Sequence, residues 1–485
     1  MSDVLRDKNM AVKIAKEVDK LGGRTFYVGG YVRDQLLNKE NKDIDIEIHG
    51  ITFNQLHDIL TGLGHLDERK VRDHFGVLAL RGYDIDIAMP RSEKPSEGGG
   101  HNDFIIDVDP FIGYKQAAKR RDLTINALMQ DVLTGEVIDS FNGVNDLKNG
   151  VIRHVDSQTF IDDPLRVLRV AQFAARFNFK VAPETIELAK TMDLSKLSHE
   201  RVAGELTKAL MKSDNPSVFF KALDKMNQLD TWFPEVKALK GVKQEAAHHP
   251  EGDVFNHTML VLDEAAKYRS EAKEPLYFMV AALCHDFGKP SATVYNTEKQ
   301  KWQSLEHDII GAPIAEKFVD RVYHANSMAK YVTEMTEYHM KPLMMYNVKS
   351  SQKKFMHLFD EVMYPEDLIL IAKADNNGRL LQRPFDEAEI YLREKLEDYR
   401  ELMAKPQVTG QDLISLGYKP GPIFTEMLAY THKTHLAGVS KEESIRHMMG
   451  MFGLSERAKI KKNKVSERGN AVDDIKSADI DLEKE

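Results

Sequence analysis

Cysteine is nearly missing from this chain: Cys284 is the one thiol in 485 residues. No internal disulfide framework can form, so the fold must stand on apolar cores, and the chain fits a reducing compartment. Long apolar runs are missing as well. No stretch approaches the ~20 residues that a membrane span requires, and the opening MSDVLRDKNM is too polar for a secretory signal. A cytoplasmic protein with no membrane attachment is expected. Positive charge is not in excess either. Lys and Arg number 67 against 76 Asp and Glu, a net charge of −9, which argues against wholesale coating of nucleic acid. A single basic groove stays compatible, because local fields outweigh net charge.

What is present is globular material. Hydrophobic residues make up 42% and charged residues 29% of the chain, enough for roughly two to four domains. In NMAVKIAKEVDKLGG the apolar Ala11, Ile14, Ala15 and Val18 form a helical stripe that Gly22 and Gly23 end. RTFYVGG then reads as a strand running into glycines, VRDQLL as a helix start and DIDIEI as an alternating strand. FGVLAL and YDIDIAM are expected to be two more strands joined by a tight turn at Arg81-Gly82. The stretch PRSEKPSEGGGHNDFIIDVDP, rich in glycine and charge, reads as a mobile loop. From Asp162 on the pattern is almost wholly helical, with DPLRVLRVAQFAARF and RVAGELTKALMK as strong examples. The end, from about residue 456, is charged and apolar-poor and is expected to be disordered.

Chemistry concentrates first in YVGGYVRDQLLNKENKDIDIEI. Alone, a Gly-Gly pair is usually a turn and a D-x-D an edge strand with solvated charges. In this order they make a site. Glycines at a strand-to-helix junction let backbone N–H groups approach a phosphate, and Arg33 one turn on can clamp it. Asp43 and Asp45 project from one side of a strand. Two carboxylates so placed suit divalent cations that bridge phosphates. Asp86, in the second DIDI, offers a third carboxylate. KRRDLTINALMQD then places Arg120, Arg121 and Asp122 ahead of a helix expected to bury Leu123, Ile125 and Leu128, where basic residues oppose the helix dipole unless an anion sits there.

In DDPLRVLR, Asp163, Arg166 and Arg169 are spaced by three. A solvated ion-pair ladder is one reading. The other uses hydrogen-bond complementarity: a carboxylate accepts from an exocyclic amine while a guanidinium donates to ring acceptors, so the pair can read a base edge.

Taken in order, GGYVRD…DID, RRDLTINA, FNGVNDL and DDPLRVLR resemble the motifs of class II tRNA nucleotidyltransferases. These are the CCA-adding enzymes of the polymerase-β-like superfamily, with bacterial poly(A) polymerases as close relatives. The resemblance spans roughly residues 20–450. It implies that Asp43 and Asp45 are catalytic and bind magnesium. It implies that Gly30, Arg33 and Arg121 contact the triphosphate and sugar, and that Asp163, Arg166 and Arg169 form the protein template for the incoming base. Two positions depart from the family pattern: Asp162 stands where Glu is usual, and Gln172 where Arg is frequent.

A second constellation follows in HHPEGDVFNHTMLVLDEAA, AALCHDFGKP and AKADNNG. Imidazoles mixed with carboxylates suit a transition metal better than magnesium. A lone histidine on an apolar helix is usually a core residue. The order H…HD…D, however, resembles the HD phosphohydrolase superfamily, which implies His257, His285, Asp286 and Asp375 as metal ligands. His307 and His339 would serve a second ion, and the metal would be Ni, Co, Mn or similar. Cys284 reads as a buried apolar residue.

The expected fold is α+β: a polymerase-β-like nucleotidyltransferase head at 1–150, then an all-α neck at 151–245, an HD domain at 246–400 and a tail at 401–455, with VTGQDLISLGYKPG as the tail's helix–turn signature. The expected reaction transfers CMP and AMP from CTP and ATP to the 3′ end of tRNA, with magnesium in the head and a metal-dependent phosphohydrolase in the HD domain. Two alternatives stay open: a poly(A), CC-only or A-only enzyme, and an HD phosphohydrolase whose head merely binds RNA.

Overall fold

The computed structural model describes residues 3–67, 77–95, 104–380 and 384–453. The charged stretch 456–485 therefore lies outside the described residues. The chain forms two compact units, Met1–Thr336 with Ala374–Gln382, and Glu337–Lys373 with Arg383–Glu485.

The first unit opens with α1 (Asp3–Lys20), β1 (Arg24–Val28), α2 (Gly30–Leu36), β2 (Ile44–His49), α3 (Phe53–Leu63), β3 (Val77–Leu78) and β4 (Ile85–Ala88). The predicted stripe Ala11, Ile14, Ala15 and Val18 is fully buried, and α1 packs on β1 and β2 through it. Strands β5 (Arg91–Pro95), β6 (Phe104–Val108), β7 (Met129–Asp131) and β8 (Val137–Ile138) complete the head, with α4 (Tyr114–Lys119) and α5 (Gly143–Asn149). Six strands make one sheet, in the order β3-β4-β2-β1-β7-β8. Strand β2 pairs antiparallel with β1 and parallel with β4, and this register sets Asp45 opposite Asp86.

Two local expectations change. The glycine-rich stretch is no simple loop, because β5 and β6 pair antiparallel from Arg91↔Val108 to Pro95↔Phe104. Its centre, 96–103, is outside the described residues. The segment after Arg121 is not a helix but a single 3-10 turn, Thr124–Asn126, that runs into β7. Asp122 accepts from the Leu123 backbone N–H at 2.8 Å, and Leu123 bridges His154 in sheet fashion. That local competition for backbone partners stops helix propagation.

The DIDIEI alternation also buries more than one face. Ile44, Ile46 and Ile48 enter the core as expected, yet Glu47 is 2% and His49 4% exposed. Tyr114 and Phe26 pack edge-on against the His49 ring, with centroids at 5.1 and 5.4 Å.

Beyond the head the chain is helical, as the periodicity predicts. It carries β9 (Val151–Ile152), α6 (Ser157–Phe160), α7 (Leu165–Phe177), β10 (Lys180–Val181), α8 (Pro183–Lys190), α9 (His199–Lys212), α10 (Ser217–Lys225) and α11 (Pro234–Ala238). Helices α9 and α10 pack on α7, so α7 is buried along Val167, Leu168, Val170, Ala171 and Ala174. Next come α12 (Val254–Tyr268), α13 (Pro275–Cys284), α14 (Lys289–Ala292), the hairpin β11 (Thr293–Asn296) and β12 (Lys301–Ser304), α15 (His307–Tyr323) and α16 (Asn326–Tyr338). Cys284 is fully buried, as expected of an apolar residue.

The second unit holds α17 (Lys341–Asn347), α18 (Gln352–Asp360), most of α19 (Pro365–Asn377), α20 (Asp386–Met403), α21 (Gly410–Ser415), α22 (Pro422–Leu436) and α23 (Lys441–Phe452). Leu413, Met427 and Met448 form a small core there. Thr409 and Asp412 close a capping box on α21, which fits the helix–turn signature of that segment. Among the described residues no helix is long and apolar enough to cross a membrane.

Candidate functional sites

The head carries a polar cleft of about 410 Å³ whose lining includes Gly30, Asp43, Asp45, Arg33, Arg121 and Arg169. Gly29, also at its wall, has φ +66°, and a Cβ there would meet Arg121 Nη1 at 2.9 Å. The left-handed backbone therefore favours glycine at the turn, where the Arg121 guanidinium closes in on it. Asp43 precedes β2 and is exposed, while Asp45 is half-buried in it. Burial, together with the neighbouring Asp86 and Asp43, raises the Asp45 carboxyl to about 6, against the pull of Arg121. Acids crowded in this way, all offering oxygen, fit hard divalent cations.

The arginines are anchored from beneath. Arg33, 3% exposed, donates from Nε to Asp34 Oδ1 at 2.7 Å and from Nη1 to Asn126 Oδ1 at 2.6 Å. Its guanidinium lies over the Phe173 and Phe177 rings at 5.1 and 4.9 Å. Asn126 donates in turn to Asp122 Oδ1 at 3.1 Å, and Asp122 Oδ2 accepts from Arg169 Nε at 2.7 Å. Asp122 and Asn126 thus tie Arg33, on α2, to Arg169, on α7. Arg121 rests on the buried Glu47 at 3.6 Å, and Arg120 reaches the same carboxylate at 3.2 Å. Burial alone would raise the Glu47 carboxyl, but the His49 hydrogen bond and the two arginines hold it at about 2.

Asp163 and Arg166 lie elsewhere. Asp163 sits ahead of α7, where its carboxylate pairs with Arg201 Nη2 at 2.8 and 2.9 Å. Arg166 donates to the backbone carbonyls of Thr159 and Arg120. Neither lines the cleft, whereas Phe173, Arg176 and Lys212 do. Gln172 points into the protein, 1% exposed, so the residue at that position does not border the cleft. Arg176, one turn further along α7, supplies a cation at the cleft instead. The spacing of Asp122 and Asn126, and of Arg169 with Phe173 and Arg176, was the available sign of these partners. Glu47 had none beyond its parity with Asp45.

In the helical part of the first unit, His257 on α12, His285 and Asp286 after α13, and Asp375 near the end of α19 converge. His257, His285 and Asp375 bring one ligand atom each within 4.8 Å of one another. Asp286 Oδ2 lies 3.2 Å from His285 Nε2 and 3.8 Å from His257 Nε2. His307 joins through Nε2, 3.3 Å from Asp286 Oδ1. His339, paired with His307 in the sequence reading, belongs to the second unit.

Each ring is held at its outer nitrogen. Nδ1 of His257 meets Glu251 Oε1 at 3.0 Å, that of His285 meets Ala282 O at 2.9 Å, and that of His307 meets Ser304 O at 2.7 Å. Those Nδ1 contacts turn each Nε2 inward toward Asp286 and Asp375, the nitrogen that metal-bound imidazoles use. The donor set therefore fits a divalent metal. The sequence reading missed Glu251, Lys289 and Arg379. Lys289 Nζ lies 2.7 Å from Asp286 Oδ2, and Arg379 Nη2 2.8 Å from Asp375 Oδ2. Burial would raise both aspartates, but His285 and Lys289 hold Asp286 well below the usual range, as Arg379 and His257 hold Asp375.

Known families match the regions that carry the two sites. Residues 25–153 match the poly(A) polymerase head domain, residues 178–240 a probable RNA- and SrmB-binding site of polymerase A, and residues 254–377 the HD domain. A multifunctional CCA protein of Actinobacillus pleuropneumoniae is 36% identical over 414 residues, covering 83% of this chain and 96% of that protein. The fold resembles the Thermotoga maritima CCA-adding enzyme solved with tRNA, with a TM-score of 0.59 at 22% identity over 92% of this chain and 95% of that one. It also resembles the Bacillus stearothermophilus CCA-adding enzyme solved with CTP, with a TM-score of 0.62 at 17% identity over 97% and 100% of the two chains.

Proposed function

The chain belongs to the family of multifunctional CCA proteins, and from that premise we propose that it adds C, C and A to the 3′ end of tRNA from CTP and ATP, releasing pyrophosphate. One observation carries this reading: Asp43 and Asp45 share a single cleft with Arg33, Arg121 and Arg169. The tRNA and CTP held by the similar enzymes support the same substrates.

Asp43 and Asp45, with Asp86 alongside, would hold magnesium. When bound, such ions lower the pKa of the attacking hydroxyl and offset charge on the leaving pyrophosphate. The chain does the rest by placement. Gly29 and Gly30 admit the triphosphate to the backbone, and Arg33 and Arg121 neutralise it from a rigid base. Asp163, Arg166 and Arg169 are assigned to base selection. Because Asp163 and Arg166 are engaged elsewhere, nucleotide entry has to exchange the Arg201 and backbone partners for a base edge.

His257, His285, Asp286 and Asp375 would hold a transition metal such as nickel, cobalt or manganese, with His307 beside them. That metal supplies Lewis acidity toward a phosphoester. Lys289 and Arg379, paired with Asp286 and Asp375, offset the charge of those carboxylates. The head reading is tested by incubating the protein with tRNA ending at the discriminator base, with CTP, ATP, or both. Stepwise products of two and then three added nucleotides are expected. A long A-tail, or arrest at two nucleotides with both substrates present, would sink it.

A further inference from the structure

A separate cavity of about 450 Å³ opens among α7, β10, α8 and α10. Its floor is apolar, built by Ala174, Phe179, Val181, Ile186, Val218 and Ala222. Its polar lining is of one kind: three lysines, Lys180, Lys221 and Lys225, and the amide of Asn178. Lys221 donates to Ser217 Oγ at 3.0 Å. The side chains of Lys180, Lys225 and Asn178 have no hydrogen bond or ion pair to another described residue. Most other cations around α7 are paired: Arg169 with Asp122, Arg201 with Asp163, Lys208 with Glu205. The cavity lies at the C-terminal end of α7, at Ala174 and Asn178, away from the Arg169, Phe173 and Arg176 side that borders the catalytic cleft.

These features specify a ligand. An apolar floor with one aromatic ring takes a flat heterocycle. An uncommitted amide, which both donates and accepts, takes its polar edge. Two uncommitted ammonium groups take an anion next to it. A base carrying a phosphate combines all three, and single-stranded nucleic acid is held by this pairing of stacking surface and cation. Nine of the ten lining residues fall within the 178–240 segment.

We propose that this cavity is a nucleotide subsite for RNA, separate from the catalytic cleft: it takes one unstacked tRNA base against Phe179 and the aliphatic floor, with the adjoining phosphate between Lys180 and Lys225. The inference rests on the reading that the protein extends tRNA. The cavity would hold the body of the tRNA while its 3′ end is extended in the cleft.

The test compares three variants with the wild type. Lys180→Glu with Lys225→Glu reverses the anion contacts. Asn178→Gly removes the amide while keeping the left-handed backbone, φ 55°, that caps α7. Lys13→Glu with Lys16→Glu, both exposed on α1, changes the same charge outside the cavity. Binding of tRNA is read by filter retention at two salt concentrations, and extension kinetics are run alongside. The cavity pair should weaken tRNA binding about tenfold or more, with the loss falling on KM for tRNA, and should flatten the salt slope by about 0.7 to 0.9, the share of one phosphate. Asn178→Gly should weaken binding a few-fold at unchanged salt slope, and the α1 pair should stay near wild type. Equal losses in the two lysine pairs, or none in either, would overturn the subsite while tRNA extension stood. Free CMP is the second probe: loss of CMP binding with tRNA affinity intact would overturn the assignment to RNA. Wild-type protein that does not extend tRNA would instead overturn the underlying function.

Discussion

The carboxylate of Asp163 accepts from Arg201 Nη2 at both of its oxygens, 2.8 and 2.9 Å away. The acid assigned to base reading thus already has a cation from α9, and its neighbour Arg166 is spent on backbone carbonyls. Asp163→Ala removes the acceptor for the exocyclic amine that CTP and ATP carry. The variant should lose discrimination against UTP by about 1.5–3 kcal/mol, the range for a hydrogen bond to a charged group. All four nucleotides are measured on one tRNA. A uniform fall with the CTP:UTP ratio unchanged would reduce Asp163 to a clamp on Arg201.

Asp43→Ala and Asp45→Ala should each abolish nucleotide addition without lowering the thermal midpoint, because these acids face the cleft rather than the core. Asp86→Asn should keep the register with β2 and lower the rate less severely. Near-normal incorporation in either of the first two variants would remove them from catalysis.

Glu47 offers a different outcome. It is buried beneath Arg120 and Arg121, so Glu47→Gln leaves both guanidiniums without their shared counter-charge. Stability in urea should fall by about 1.5–3 kcal/mol, and KM for CTP and ATP should rise more than kcat falls. An unchanged KM in a destabilised variant would mean that Arg121 does not touch the triphosphate.

The two metal-directed sites should separate cleanly. His285→Ala with Asp286→Ala should eliminate phosphoesterase activity supported by nickel, cobalt or manganese and leave tRNA extension largely intact. Loss of extension in a still-folded double variant would show that the sites depend on one another. Wild-type protein inactive on phosphoesters with each metal would leave the HD region a structural element.

Much of this was legible in the chain because its signals are local. Periodicity reports which side of an element faces inward, so the α1 stripe and the isoleucines of β2 could be placed from spacing alone. A strand-to-helix turn that needs glycine, and acids two apart in a strand, are likewise short-range facts, as is the order of His257, His285, Asp286 and Asp375. Periodicity cannot name a partner. Asp122 and Asn126 joining Arg33 to Arg169, Glu47 beneath Arg121, Arg201 on Asp163, and His257 on Asp375 each depend on which distant segment is folded against which. The helix expected after Arg121 failed for the same reason: Leu123 finds a strand-like partner in His154, 31 residues on, and a tertiary hydrogen bond outweighs a weak local preference. Sequence therefore determined the kinds of chemistry and their order, while tertiary packing decided which charges are spent on structure and which, like Lys180 and Lys225, remain for a ligand.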